Sequence, residues 1–118
     1  MPPRLRITHR ETPDGVVVIT LDGRVMIGEE SEKVESLVDE FLAAGKKHFV
    51  FDVSGVRHLD STGIGRFISI LNKVMKAGGT MRMAAASTVV REAFRVTRLD
   101  TVFEFFDTVE EASQKRES

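Results

Sequence analysis

Apolar and polar positions alternate along this chain with the period of strands first and of helices later. Leu5 and Ile7 alternate with polar neighbours, and residues 16–21 form a run rich in β-branched side chains, so two opening strands are predicted. Residues 12–15, with Pro13 and Gly15, have turn chemistry, which makes the two strands a hairpin. A turn is expected at residues 22–23 and a short third strand over 24–27.

Helical spacing of apolar residues predicts two longer helices and two short ones. The first has an apolar face at i, i+3, i+4, i+7 and i+8, formed by Val34, Leu37, Val38, Phe41 and Leu42. Gly45 is expected just past its end. The second covers about 62–77, with an inward face formed by Ile64, Phe67, Ile68, Leu71 and Met75. Ser87 or Thr88 caps a third helix, and Thr108 begins a terminal one.

Three further apolar segments lie between these helices, at 49–53, 80–86 and 102–106, and each is predicted to be a strand. A short polar loop is expected between the first of them and the second long helix. Strands that alternate with helices predict a single α/β domain with a mixed, mostly parallel sheet, an antiparallel N-terminal hairpin and about four packed helices. We expect this domain over residues 1–113 and a polar tail over 114–118.

Composition restricts the possible functions. The 118 residues carry 17 basic and 18 acidic side chains, a net charge of −1, so no overall field favours nucleic acid or an anionic membrane. Cysteine is absent, which excludes disulfides and thiolate metal sites. Residues 1–4 do not begin an apolar signal segment, and no apolar run approaches the ~20 residues of a membrane span. We expect a cytoplasmic protein without a cofactor.

The stretch 48–66 carries the candidate chemistry, and it does not fit an enzyme. His58, Asp60 and Ser61 are the residue types of a nucleophilic triad, but near neighbours on one loop rarely face each other correctly. Gly63 and Gly65 resemble part of a dinucleotide fingerprint, but Ile68 occupies the third glycine position and the turn lies too far past the strand. His9, His48 and His58 lack metal-ligand spacing, so no metal site is predicted.

Ser61 allows two interpretations. It could be the N-cap of the following helix, accepting a hydrogen bond from the amide of residue 63 or 64 and contributing ~1 kcal/mol. This leaves Gly63 and Gly65 unexplained, because each costs roughly 1 kcal/mol against alanine in a helix, so another backbone is expected to approach closely. Alternatively, Ser61 accepts a phosphoryl group, since a helix N-terminus tolerates an added anion.

Asp60-Ser61-Thr62-Gly63-Ile64-Gly65, after a strand reading FDVSGV and before an amphipathic helix, resembles the signature of bacterial anti-sigma factor antagonists, which are stand-alone STAS domains. LDGRV and the closing TVFEFFDTVEEA follow the same order, so the similarity covers nearly the whole chain. One departure is Met26, which stands where many members carry an acidic residue; Asp22 and Glu29 are candidates to replace it.

The resemblance implies a partner switch. Ser61 would be phosphorylated by an anti-sigma factor that is itself a serine kinase of the histidine-kinase-like ATPase type. Phosphorylation would end binding, and a PP2C-type phosphatase would restore it, which regulates transcription. The residues implied at the partner surface are Asp60, Thr62, Gly63, Ile64, Gly65 and Arg66.

Two other functions remain open from sequence. The chain could be a constitutive STAS subunit of a larger assembly, such as a stressosome-like scaffold or a lipid-transporter accessory protein, or it could be an enzyme or nucleotide-binding protein.

Two side-chain groups could also form surfaces. Phe103, Phe105 and Phe106 would form a docking patch if they are not core, and a basic face could be formed by Lys73, Lys76, Arg82, Arg91, Arg95 and Arg98. We expect the phenylalanines to be core and the basic residues to be a solvated surface.

Overall fold

The structure, a computed structural model, describes residues 5–26 and 29–114. Its strands are β1 (Leu5–Glu11), β2 (Val17–Val25), β3 (His48–Leu59), β4 (Thr80–Ala84) and β5 (Glu104–Phe106). Its α-helices are α1 (Glu29–Ala43), α2 (Ser61–Lys76), α3 (Thr88–Val96) and α4 (Val109–Ser113), and a 3₁₀ turn covers Leu99–Thr101.

The five strands form one sheet in the order β1-β2-β3-β4-β5. β1 and β2 pair antiparallel, and every other neighbouring pair is parallel. The predicted fold class is therefore confirmed. Parallel neighbours need crossover connections, and α1, α2 and α3 supply them.

The two faces of the sheet are covered unequally. One face packs against α1, α2 and α3 through a core centred on Phe49, Phe51, Phe67 and Phe94. The other face carries a smaller apolar cluster, which α4 covers through Ala112. This unequal cover leaves part of the second face in solvent.

The end of α1 shows how a local sequence signal becomes structure. Gly45 has a φ of 89°, a left-handed conformation that suits glycine. Its amide bonds the carbonyl of Leu42 at 3.0 Å, and the next amide, of Lys46, bonds the carbonyl of Phe41 at 2.9 Å. This is a Schellman ending, so the prediction that Gly45 ends the helix is confirmed.

Two predictions about the strands are wrong for one reason. Asp22 and Gly23 lie inside β2 at an irregularity of its pairing with β3, so there is no separate third strand at Arg24; Ile27 lies outside the described residues. Residues 54–59 continue β3 instead of forming a loop, and Leu59 pairs with Val25. Turn-like and polar residues are tolerated here because the strand ends extend together and expose one face to solvent.

The inward face of α2 differs in part from the predicted one. Phe67 and Leu71 are buried as expected, together with Ile70 and Val74. Met75 is 63% exposed, so its predicted burial is wrong. The helix presents its 67-70-71-74 stripe to the sheet, which turns Met75 toward solvent.

The C-terminal segment confirms its predicted elements with shorter bounds. The last strand has only three residues, and Val102 is exposed. Phe103 is buried and Phe105 and Phe106 are half-buried against the two apolar clusters, so the core interpretation of these phenylalanines is confirmed. Thr108 Oγ1 accepts a hydrogen bond from the amide of Glu111 at 3.1 Å, which is the predicted cap of α4.

Candidate functional site at the start of α2

The carboxyl ends of β2 and β3 position the start of α2. Val25 and Leu59 pair at the last step of the two strands. Asp60 follows, and its amide lies 3.4 Å from the carbonyl oxygen of Val25. Ser61 is then the first residue of α2. The candidate residue therefore lies between the end of a central strand and the free amides of a helix N-terminus.

Asp60, not Ser61, caps α2. Asp60 has extended backbone angles, φ −101° and ψ −179°, and its Oδ1 accepts a hydrogen bond of 2.7 Å from the amide of Gly63. The interpretation of Ser61 as the N-cap is therefore wrong. Ser61 and Thr62 are exposed, and no hydrogen bond of the Ser61 hydroxyl is found within residues 5–26 and 29–114. Capping does not use the serine oxygen.

The two glycines of the first turn have different surroundings. Gly63 is buried, and a Cβ there would lie 2.0 Å from the carbonyl oxygen of Val25 and 2.8 Å from Leu59 Cδ1. Close approach of another backbone is therefore confirmed for Gly63, and that backbone is β2 of the same chain. Gly65 is exposed, and a Cβ there would have no neighbour within 4 Å. Packing within the described residues does not explain Gly65.

The long β3 also affects the dinucleotide comparison. Because β3 extends to Leu59, the glycines follow the strand almost directly, and the argument that they lie too far past it is wrong. The third position of the fingerprint is still Ile68, half-buried against the core. Gly63 lacks a side chain because the backbone of Val25 lies against it, so packing explains this glycine. The fingerprint therefore remains incomplete.

Arg66 connects the site to α1. Its Nη1 donates to Glu35 Oε1 at 2.9 Å, and the Arg66 side chain is 24% exposed. Ser69 Oγ donates to the other carboxylate oxygen, Oε2, at 2.8 Å, and Lys73 Nζ lies 2.6 Å from the same atom. Lys73 also pairs with Asp39 at 3.1 Å. These contacts hold α2 against α1 directly below its first turn, while Ile64 is half-buried beside them.

Glu35 is the buried charge at the centre of this group. Burial alone would raise its pKa, but the hydrogen bonds from Lys73, Arg66 and Ser69 outweigh burial and lower the pKa to about 2. The same carboxylate, with Asp39, raises the pKa of Lys73. Glu35 therefore stays ionised at neutral pH, and Lys73 stays charged.

The group around Glu35 was not predicted, and the interpretation of the basic residues as a solvated surface is wrong for Arg82. Lys73 is committed to Glu35 and Asp39 and is not simply a solvated charge. Arg82 is buried, with Nη1 bonded to the carbonyls of Ala112 and Gln114. A signal was available for the first: Arg66, Ser69 and Lys73 follow i, i+3, i+7 spacing, a polar stripe on one side of α2.

Met26, at the position where an acidic residue was expected, is half-buried after the end of β2. Asp22 pairs with Gly55 and lies 4.0 Å from Arg57, three residues before the Val25–Leu59 pair. At about 3.3 Å per residue, it is set back from the site by about 10 Å along the strand. The side chain of Glu29 lies outside the described residues. Asp22 therefore does not replace the acidic residue that was expected at position 26.

Two searches of the described residues were negative. Among residues 5–26 and 29–114, no helix is long and apolar enough to cross a membrane. In the same residues, no group of three or more His, Cys, Asp or Glu side chains is placed to hold a metal ion.

The fold and this site define a known class of domain. The family model of the STAS domain matches residues 8–112, and the chain therefore belongs to the STAS domain family. Its relatives include two Thermotoga proteins provisionally named anti-sigma factor antagonists. The one from Thermotoga neapolitana is 28% identical over 100 residues, 84% of this chain and 88% of that protein. The one from Thermotoga maritima is 26% identical over 102 residues, 86% of this chain and 90% of that protein.

Solved structures show the same fold. A crystal structure of a Thermotoga maritima protein, also provisionally named an anti-sigma factor antagonist, is similar with a TM-score of 0.80 and 25% identity, covering 90% of each chain. The Bacillus protein SpoIIAA in its phosphorylated form gives a TM-score of 0.70 at 18% identity, covering 91% of this chain and 96% of that one. Its unphosphorylated form, described as an anti-sigma factor antagonist, gives 0.71 at 17%, covering 90% and 92%. At this identity the SpoIIAA likeness concerns the fold alone.

Proposed function

We propose that this protein is a phosphorylation-controlled anti-sigma factor antagonist. In this proposal the unphosphorylated start of α2 binds an anti-sigma factor that is also a serine kinase of the histidine-kinase-like ATPase type. Transfer of a phosphoryl group to the Ser61 hydroxyl releases that partner, and a PP2C-type phosphatase removes the phosphate. The protein acts by binding, in the cytoplasm, and performs no catalysis itself.

The observation that carries the proposal is that Ser61 is exposed while its neighbour Asp60 forms the cap. A serine that caps a helix must break its hydrogen bond before it can be modified. Within the described part of the chain the Ser61 side chain makes no such bond, and the residue is exposed shortly after the end of β3. It therefore has the accessibility that a kinase substrate needs.

Gly65 supplies independent support. It lies one helical turn after Ser61 on the same side of α2, so the two residues share a strip of surface. A glycine there costs the helix about 1 kcal/mol relative to alanine, and no packing within the described residues compensates for this cost. A partner backbone lying close to this strip would explain the glycine. Thr62 and Ile64 extend the same end of the helix.

The energetic consequence of phosphate fits a switch. A phosphoryl group adds about −1.5 to −2 charges at neutral pH. The helix N-terminus tolerates them, so the fold survives, whereas an uncompensated charge in a closed interface costs about 2–5 kcal/mol. Since each ~1.4 kcal/mol is a factor of ten, affinity falls by about 30-fold or more. SpoIIAA, of the same fold, has been solved in both forms, in keeping with a domain that accommodates phosphate.

The test begins with identification of the partner. Unphosphorylated protein is used as bait in extracts of its own cells, and the captured ATPase is purified and incubated with the protein and ATP. The phosphorylated residue is then mapped by mass spectrometry. We expect a single phosphate on Ser61, none in the Ser61→Ala variant, and its removal by a PP2C-type phosphatase from the same cells.

Binding of Ser61→Asp to that partner is compared with binding of Thr88→Asp. Thr88 is a matched control because it is the exposed first residue of α3, directly after the N-cap Ser87. We expect Ser61→Asp to fold normally and lose affinity, and Thr88→Asp to bind like the unmodified protein. Equal binding of both variants would contradict the switch.

The alternative is a constitutive STAS subunit of a larger assembly, and Met26 at the usually acidic position is the observation that favours it. The fold does not discriminate between the switch and the assembly subunit, because a sulfate transporter family protein from Wolinella succinogenes also shares it, with a TM-score of 0.68 at 16% identity. In that case the protein would enter a stable complex that Ser61→Asp leaves intact, and Ser61 would carry no phosphate under any growth condition.

A further inference from the structure

The apolar side of α2 is wider than the stripe that the helix buries. Ile64, Ile68 and Met75 follow i, i+4, i+11 spacing and form one flank of the helix, next to the buried stripe that contains Leu71. Ile64 and Ile68 are half-buried, and Met75 is exposed. This apolar flank of α2 therefore keeps part of its surface in solvent.

The apolar flank of α2 is turned away from α1 and toward α3. The opposite flank carries Arg66 and Lys73, which both contact Glu35 of α1. The buried stripe separates the two flanks around the helix. Under the apolar flank, the ring of Phe67 on α2 meets that of Phe94 on α3, with centroids 6.0 Å apart. The exposed apolar side chains of α2 thus lie on the side where α3 packs.

α3 presents a matching apolar flank. Val89, Ala93 and Val96 follow i, i+4, i+7 spacing. Arg91 lies on the other flank, where its Nη2 is 3.5 Å from a carboxylate oxygen of Asp107, just past β5. α2 and α3 each connect two parallel strands of the same sheet, so the two helices run in the same direction. The flank of α3 turned away from β5 therefore faces α2.

The two flanks together form the α2–α3 surface, which consists of Ile64, Ile68, Met75, Val89, Ala93 and Val96. In the part of the chain that the structure describes, four large hydrophobic side chains are exposed, by 39% to 65%, and three of them belong to this surface. The fourth, Val102, lies on neither α-helix. Single exposed apolar residues are ordinary, whereas several on one surface mark an interaction site.

The α2–α3 surface begins at the proposed switch. Ser61 precedes Ile64 by three residues and Ile68 by seven, so it lies on the same side of α2 as the apolar flank. A partner that contacts Ser61 can therefore continue along the α2–α3 surface without leaving it.

We propose that the α2–α3 surface binds an amphipathic helix of the anti-sigma factor that contacts Ser61, an inference that rests on the proposed function. Helices bond their own backbone groups, so this surface offers side chains rather than a strand edge, and a helix with one apolar face suits it. The eleven residues from Ile64 to Met75 span about 17 Å at 1.5 Å per residue. The partner helix therefore has at least three turns, with apolar residues three and four positions apart.

Two polar substitutions of similar size test the surface. Met75→Gln and Val96→Thr change exposed residues, so urea unfolding should show little loss of stability. Each should weaken binding of the captured ATPase by about tenfold, because an apolar side chain no longer becomes buried in the complex. Val102→Thr is the matched control and should bind like the unmodified protein. Unchanged binding of Met75→Gln and Val96→Thr, while Ser61→Asp loses affinity, would overturn the α2–α3 surface and leave the switch intact.

Photo-cross-linking in the protein's own cells identifies the occupant. Met75, Val96 and Val102 are replaced one at a time by p-benzoylphenylalanine in the full chain. We expect the first two positions to cross-link to the ATPase that phosphorylates Ser61, within an amphipathic helix, and position 102 to give no such product. Cross-links to a second copy of this chain or to another protein, or no cross-link, would overturn the proposal. Failure of the switch itself differs, because Ser61 then carries no phosphate and Ser61→Asp binds normally.

Discussion

Asp60 Oδ1 accepts a 2.7 Å hydrogen bond from the amide of Gly63. Ser61, which the family resemblance marks for phosphorylation, lies between these two residues in the sequence. The cap and the modifiable hydroxyl are thus adjacent but separate groups. Sequence preference alone would assign capping to either aspartate or serine. The division of roles leaves Ser61 free for chemistry without a cost to α2.

This division predicts a loss of stability for one of two neighbouring alanine substitutions and almost no change for the other. Asp60→Ala removes the cap and should lower the free energy of unfolding by about 1 kcal/mol, whereas Asp60→Asn should retain most of it. Ser61→Ala should change it by less than about 0.5 kcal/mol, as for a surface substitution. Urea unfolding followed by circular dichroism measures all three. A loss for Ser61→Ala equal to that for Asp60→Ala would show that the serine does cap the helix.

The two glycines of the first turn give a second matched pair. Gly63→Ala places a Cβ 2.0 Å from the Val25 carbonyl oxygen, so the start of α2 must move, and we expect a loss of about 3 kcal/mol. Gly65→Ala has open space and should stabilise the helix by up to about 1 kcal/mol. Unfolding measurements test both values.

The same Gly65→Ala variant also tests the proposed interface. It should bind the anti-sigma factor more weakly although it is at least as stable as the unmodified protein. Asn72→Ala, at an exposed position farther along α2, is the control and should not affect binding. Unchanged binding of Gly65→Ala would remove Gly65 from the partner surface.

Glu35 predicts a specific dependence of stability on pH. Its folded pKa of about 2 lies below the ordinary value of 4.5, so its stabilisation is complete above about pH 4.5 and is lost as the pH falls toward 2. At 1.36 kcal/mol per pKa unit, the effect is about 3 kcal/mol. Urea unfolding of the unmodified protein and Glu35→Gln between pH 6 and pH 2.5 should show curves that converge at low pH.

Asp39→Asn is the control for that series. Asp39 also pairs with Lys73, but it is half exposed, and exposed ion pairs contribute little to stability, so Asp39→Asn should unfold with nearly the free energy of the unmodified protein. If Glu35→Gln kept the full pH dependence of the unmodified protein, the contacts among Glu35, Arg66, Ser69 and Lys73 would not account for it.

Ser87 predicts a larger loss than an ordinary cap because it has two roles. Its Oγ accepts from the amide of Val90 at 3.4 Å, and it donates to the carbonyl oxygen of Val56 on β3 at 2.7 Å. Ser87→Ala should therefore cost about 2 kcal/mol, combining a cap and a part-buried hydrogen bond. Thr88→Ala, at the exposed neighbour, should be nearly neutral in the same unfolding assay.

The sequence by itself determined the elements and the order in which they occur. The opening hairpin, the apolar stripe of α1, the ending at Gly45 and the cap at Thr108 are local features, each set by residues within a few positions of one another. The alternation of strands and helices then determined a mixed sheet. The position of Ser61 at the transition from strand to helix was also local and was predicted within one residue.

Contacts between distant segments decided the rest. Residues 54–59 form a strand only because β2 extends beside them, and Gly63 is required only because Val25 lies against it. Glu35 meets Arg66 from 31 positions away, and Arg82 is buried only because the end of α4 returns to cover it. The burial of a side chain depends on which other segment lies against it, and only the tertiary structure determines that contact.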